Sequence, residues 1–259
     1  MSLLPEKGIF NFTDLKNLRR LSFVTAIETK MSTDNLASYF GDVDIALLYG
    51  FGIKPLPLEG LDSYIFEYGF HEGCDQVRST LVYLKTDKCP ILYSSKFYVL
   101  DDYCHVLKEE LRGATEKDVV NHYDLHSYLK DRYEFSEELF ERAKENLEEI
   151  DSLYEKIRET SIGGYELFLL KFYSRYIIDL SERIQLYKNV LNMYSPEFED
   201  ANKTHKQKRY EIFATCPGGI IDGINEDLCS KCYEVKPRDG MYAVRGCYKR
   251  SKHYLKYGG

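Results

Sequence analysis

Three cysteines stand at equal intervals, Cys74, Cys89 and Cys104, with fourteen residues in each gap. Cys74 opens the stretch Asp75 to Leu84, Cys89 is followed by Pro90, and Cys104 comes after the apolar run Phe97 to Leu100 and opens His105 to Leu111. Each can therefore stand at a helix start. There the unpaired amide donors and the helix dipole favour a thiolate, the form of cysteine that ligates metal. Cys104 carries a second signal, because the end of a strand running into a helix is where open α/β sheets collect their ligands. Thiolates brought together suit an iron-sulfur cluster or zinc. The same residues also suit packing. Cysteine is among the most buried residue types, no CxxC occurs in this stretch, and fourteen-residue gaps are not a known ligand spacing, so the three could be small apolar fillers.

The neighbours of these cysteines add information. Thr86, Asp87, Lys88, Cys89 and Pro90, then Ser94, Ser95, Val99, Cys104, Lys108 and Glu110, with Cys74 fifteen residues ahead of Cys89, form a pattern of residue types at fixed spacing. It resembles the cysteine-bearing segment of the 2-hydroxyacyl-CoA dehydratase and benzoyl-CoA reductase family, in particular its double-cubane cluster branch. His105 stands where that branch has an aspartate. The resemblance implies an oxygen-sensitive iron-sulfur cluster, of [4Fe-4S] or double-cubane type, bound by Cys74, Cys89 and Cys104 with help from elsewhere. It further implies a lyase or reductase acting on a CoA thioester, an ATP-dependent activator protein that delivers one electron at low potential, and a homo- or heterodimer. The thioester would be reduced to a ketyl radical that loses its α-hydroxyl, or a related reduction would follow. Three cysteine ligands would leave one iron open to substrate or solvent.

The elements that must position these groups follow from patterning. Leu21 to Ile27 has the β-branched and aromatic content of a buried strand, and Asp14 to Arg20 reads as a surface turn or short helix. Asp42 to Tyr49 is apolar and stops at Gly50 and Gly52, which predicts a helix with a glycine C-cap. Ile53 to Leu58 must be extended, because each proline pushes its predecessor out of the α region. This succession also resembles the family's segment before its first cysteine. Alternating strands and helices up to residue 130 predict an α/β domain, residues 1–130, with a mainly parallel sheet and flanking helices.

Beyond it, Leu139, Ala143, Leu147, Ile150, Tyr154 and Ile157 recur with a helical period from Ser136, with Glu137 and Glu138 at the start. Ser161 to Gly164 breaks the pattern. A second long helix is expected, with Leu169, Phe172, Tyr176, Leu180, Ile184, Tyr187 and Leu191 on one stripe, ending before Pro196. The two predict a helical hairpin, residues 131–197, whose charged faces are ordinary solvated surface. Ala143 to Asn146 and Ser161 to Glu166 resemble the family's interdomain helices.

Residues 198–259 read as a linker and the short remnant of a second α/β domain. Tyr210 to Thr215 is a predicted strand leading to Cys216, Pro217, Gly218 and Gly219, which resembles the Gly-Cys-Pro turn opening the family's C-terminal domain, without its first glycine. The resemblance covers roughly residues 35 to 219 of the sequence. Family members continue through a whole further domain, so it implies a shortened member. Cys216, Cys229, Cys232 and Cys247 include one CxxC and could make a tetrahedral zinc site in the tail. The basic Lys249 to Lys256 reads as a solvated terminus.

A net charge of -7 over 259 residues disfavours nucleic acid as a partner. No basic start followed by an apolar run opens the sequence, and no stretch of eighteen or more apolar residues occurs, so neither secretion nor a membrane span is expected and a cytoplasmic protein is. Seven cysteines, an odd number, read there as thiols or metal ligands. No P-loop, GxGxxG, HExxH or GxSxG is present, which leaves nucleotide hydrolysis, a dinucleotide site and serine-hydrolase chemistry without support. His71, His105, His122 and His126 are candidate acid/base groups; His105, beside Cys104, is the one placed for proton transfer near a cluster. The other class of reading is a non-catalytic relative or partner subunit, with structural zinc in the tail.

Overall fold

The computed structural model describes residues 12–58, 75–101, 105–160, 162 and 164–194, together with the backbone of two short strands, 211–214 and 234–237. Strands β1 (Leu36–Phe40), β2 (Lys54–Pro57), β3 (Phe97–Leu100) and β4 (Asp118–Asn121) form one sheet in the order β2-β1-β3-β4. All neighbours are parallel, with Leu36 opposite Lys54, Ala37 opposite Phe97 and Phe97 opposite Asp118. The expected α/β class with a parallel sheet is therefore what the chain adopts. The order reverses at β1: the chain steps outward on one side to β2, then crosses to β3 and β4 on the other. Residues at even and odd positions of each strand feed separate cores. Ala37, Tyr39, Phe97 and Val99 pack with Leu48, Phe51, Ile53, Leu125 and Leu129 on one face. Leu36, Phe40, Tyr98 and Leu100 pack on the other.

Helices cover both faces. In chain order they are α1 (Asn17–Ser32), α2 (Ile45–Gly50), α3 (Asp75–Lys85), α4 (Pro90–Ser94), α5 (His105–Ala114) and α6 (Leu125–Lys130), then α7 (Glu137–Arg158), α8 (Gly164–Tyr173) and α9 (Leu180–Met193). The predicted helix before Gly50 is α2, capped by Asp44, whose side chain accepts from Leu47 N at 2.9 Å. The extended run after it is β2. Lys54 N donates to Asn35 O and Leu58 N to Tyr39 O, so alternate amides face β1, and Pro55 and Pro57 fall where the missing N–H would point off the open edge.

Two expectations change. Leu21 to Ile27 is not a strand but the middle of α1. Leu18, Arg19, Ser22, Ala26 and Thr29 are its buried positions, a helical spacing, while Leu21 and Val24 stay 38% and 60% exposed. A seven-residue apolar run cannot by itself be told from a helix segment, and here flanking helix formers decide. The first strand is instead Leu36–Phe40, buried at every residue, which the patterning left unassigned. The second long helix is also interrupted: α8 ends at Tyr173, a 3-10 turn spans Ser174–Tyr176, and α9 starts at Leu180. Asp179 is extended and caps α9 by accepting from Ser181 N at 2.8 Å and Glu182 N at 3.3 Å. The Ser181 hydroxyl, then these amides, hold its carboxyl below the usual range against the opposing effect of burial. A competing N-cap signal, Asp179 three residues ahead of Glu182, outweighed the apolar stripe.

The first helix of the hairpin is α7, capped by Ser136, with Glu137 and Glu138 in its first turn and Lys156 and Arg158 in its last. It packs along α9, where Lys188 Nζ lies 2.8 Å from Glu149. One apolar cluster runs from Leu36 and Tyr98 on the sheet to Ile150, Ile157 and Leu186 on these helices. Tyr49 of α2 donates its hydroxyl to Ile178 O at 2.5 Å, tying the sheet-side helix to the break before α9. Later in the chain, β5 (Glu211–Ala214) and β6 (Glu234–Pro237) pair in parallel, and β6 contacts α8. Among the described residues, no helix is long and apolar enough to cross a membrane.

Gly50 sets how closely α2 approaches the start of α7. Its carbonyl accepts Ser136 N at 2.8 Å, and a Cβ there would lie 2.7 Å from Phe135 Cε2 and 2.9 Å from Phe140 Cβ. Gly50→Ala is expected to destabilise the fold by about 1–3 kcal/mol through overpacking, read from the urea midpoint at unchanged m-value.

Candidate functional site

In an open parallel sheet, ligands bind outside the carboxyl ends of the strands where the strand order reverses. Here that point lies between β1 and β3. Strand β1 ends at Phe40, and Gly41 follows with φ +83°, a left-handed conformation that glycine adopts without strain. Across from it, at the end of β3, is Asp101, only 6% exposed. Asp101 N donates to Phe40 O at 3.2 Å, and Asp42 N donates to Asp101 Oδ2 at 2.6 Å. A Cβ on Gly41 would lie 2.1 Å from the Asp101 carboxyl carbon. Thus the buried carboxylate occupies the space a side chain would need, and the two strand ends are clamped together at the reversal.

Helix α5 begins at His105, directly after Cys104 in sequence. Likewise α3 begins at Asp75, directly after Cys74. Helix starts were expected at both positions, and α3 packs against α5. Cys74, Cys104 and His71 themselves lie outside the described residues, as do the tail cysteines Cys216, Cys229, Cys232 and Cys247. The side chain of His105 lies outside them too.

Cys89 is described, and it occupies a different part of the molecule. It is the N-cap residue of α4, with Pro90 at the first helical position, and its side chain makes no cap hydrogen bond. It is 2% exposed, in no disulfide, and belongs to the apolar cluster on the Tyr98 face. Burial raises the Tyr98 phenol well above its ordinary value, and an electrostatic contribution from Cys89 adds to that rise. The Tyr98 hydroxyl donates to Leu92 O at 3.0 Å, and Lys117 Nζ donates to Leu92 O and Tyr93 O at 2.8 Å each. Ser95 Oγ donates to Ile91 O at 2.8 Å and lies 2.6 Å from Ser38 Oγ. These bonds satisfy the carbonyls at the end of α4 and fasten it to β1, β3 and β4.

Of the candidate histidines, His122 directly follows β4, on the same carboxyl edge as Asp101. Its Nε2 is enclosed and has no hydrogen-bond partner among the described residues, and its ring lies 3.8 Å from that of Tyr123. His126 is exposed on α6, with its ring 6.2 Å from Phe51. The Gly41 and Asp101 pair was not singled out from sequence. The available signal was a glycine followed by Asp42 directly after an apolar run, and reading it required Leu36–Phe40 to be recognised as a strand.

Neither a scan against protein-family models nor a search of curated proteins finds a match to this chain. Among the described residues, no group of three His, Cys, Asp or Glu side chains is placed to hold a metal ion.

Two measurements check these contacts. Gly41→Ala is expected to cost about 2 kcal/mol or more, from strain at positive φ together with displacement of the Asp101 carboxyl, and to lower the denaturant midpoint. For Lys117, burial, reinforced by Lys30, pulls the amine down to about 8 from its ordinary 10.5. Between those values the unfolded chain holds a proton that the folded chain lacks, so stability should rise with pH across that window. Urea unfolding at several pH values should show this slope in the native protein and its loss in Lys117→Met.

Proposed function

We propose that this chain is an iron-sulfur protein of the 2-hydroxyacyl-CoA dehydratase type, acting on a CoA thioester by radical dehydration or reduction, or a subunit of such an enzyme. The observation that carries this reading is positional. The reversal of strand order falls between β1 and β3, and the cysteine-bearing pattern read from sequence follows β3 at that point, with Cys104 directly ahead of α5. Cys74 directly precedes α3 in sequence, and α3 packs against α5. The parallel pairing of β5 with β6 favours a second α/β unit after the helices.

On this reading Cys74, Cys89 and Cys104 are the thiolates the α/β unit contributes, with further ligands from elsewhere. A bound cluster would supply low-potential electrons, handed on from an ATP-dependent activator protein in a homo- or heterodimeric assembly. The chain's own residues hold the edge in shape: Asp101 and Gly41 fix the two strand ends, and the Asp44 cap fixes the start of α2 beside them. His122, on the same edge, and His105, at the first position of α5, are the groups available to exchange a proton with substrate.

A second reading, a non-catalytic relative with structural zinc in its tail, is favoured by the burial of Cys89, which is 2% exposed. Anaerobic expression followed by iron, sulfide and zinc analysis and an absorbance scan separates the two. The first reading expects a brown protein whose iron falls at least several-fold in Cys104→Ser and in Cys74→Ser while the fold is retained. A colourless protein holding about one zinc, lost on replacing Cys229 and Cys232, would instead establish the second.

A further inference from the structure

We propose that the outer face of α1 is where two copies of this chain meet, as a twofold pair of antiparallel helices centred on Val24. Helix α1 turns Leu18, Arg19, Ser22, Ala26 and Thr29 inward, and it packs against α4 and β1. Its other face is apolar too. Leu21, Val24 and Met31 are 38%, 60% and 82% exposed, and the half-buried Ile27 stands among them in sequence. Successive spacings of three, three and four residues put these four on one side of the helix. They run over about 15 Å of its length, at 1.5 Å per residue. A helix lying on a protein surface ordinarily turns charged and polar residues outward. Single exposed apolar residues are common, whereas a contiguous row of them marks an interaction surface.

Charge on the same face says what covers it. Arg20 and Glu28 are both exposed, and they stand four residues to either side of Val24. Separated by about 12 Å along the axis, they are too far apart to pair with each other. A twofold axis crossing the helix beside Val24 exchanges the two positions. Arg20 of each copy then comes beside Glu28 of the other, so the same charge pair forms twice. The same axis sets Val24 beside Val24 and Leu21 beside Ile27 of the second copy. Parallel helices would instead set Arg20 against Arg20 and Glu28 against Glu28, and like charges repel. Lys30 does not compete for Glu28, because its ammonium lies 5.3 Å from the Tyr93 ring and 3.8 Å from Asp34. Such a contact is isologous, as twofold dimers require. One helix pair buries less than the roughly 1,200 Å² of a standard interface, so the dimer exchanges with monomer. The inference uses α1 alone and does not depend on the iron-sulfur reading.

The test is sedimentation velocity on the full chain, under reducing conditions, from low to high micromolar concentration. A monomer–dimer equilibrium is expected, and a monomer throughout would overturn the proposal. Val24→Asp, at a position where the core is not disturbed, is expected to raise the dimer dissociation constant by about tenfold or more, with circular dichroism unchanged. A dimer that survives this substitution uses another surface and would also overturn the proposal. Arg20→Glu and Glu28→Arg should each weaken the dimer several-fold at low salt, and the two together should restore it, because the exchange rebuilds both pairs. A double variant as weak as the single ones would overturn the antiparallel arrangement. The measurements are made on metal-stripped protein, so a chain that dimerises in this way yet takes up no iron would overturn the cluster reading alone.

Discussion

Four short parallel strands leave two apolar faces to cover, and the order β2-β1-β3-β4 requires the chain to pass over one face from β1 to β2 and over the other from β2 to β3. Everything else in the described structure answers to that requirement. Helices α2 and α6 close the face built on Ala37, Tyr39, Phe97 and Val99. The face built on Leu36, Phe40, Tyr98 and Leu100 is larger, and α1, α3, α4, α5 and the α7 to α9 helices all contribute to its core. Because both faces of the central strands are buried, β1 and β3 are enclosed at every residue without alternation, the usual signature of a parallel sheet.

The same reversal that forces the helices apart creates the place where a ligand can enter. At that place the protein spends a buried carboxylate, Asp101, and a left-handed glycine, Gly41, to hold two strand ends in register. At the other end of the strands it builds a second polar group from Lys117, Tyr98, Ser38 and Ser95, all aimed at the backbone of α4 or at each other. The two groups differ in kind. The amino-edge bonds close on carbonyls of the protein itself and leave their helix fastened. The carboxyl edge carries the clamp, the α2 cap and an enclosed histidine nitrogen.

Much of this architecture could be read in the residues. Gly50 and Gly52 ended α2, Pro55 and Pro57 forced an extended edge strand, Phe97–Leu100 was a strand, and Ser136 with two glutamates opened α7. Each of those signals is local: a cap, a stop or a fixed φ angle acts on its own turn of chain. The failures came where two local signals compete and packing chooses. The run Leu21 to Ile27 suits a strand, yet as part of a sixteen-residue helix it buries Leu18, Ser22, Ala26 and Thr29 together. Along the predicted last helix, Asp179 offered a cap inside an unbroken apolar stripe, and the chain took the cap.

By itself the sequence determined which residues open helices, which runs are extended, and that cysteines precede three helix starts, because those properties depend on neighbours within a few positions. What the tertiary structure decided is which end of the sheet each group occupies. The equal spacing of Cys74, Cys89 and Cys104 suggests one shared centre. Spacing along a chain, however, says nothing of direction once the chain doubles back. Between β2 and β3 it must return from the carboxyl edge to the amino edge before the next parallel strand can start. Cys89 belongs to that return and opens α4, whose far end Tyr98 and Lys117 hold, whereas Asp101, twelve residues later, closes the carboxyl edge.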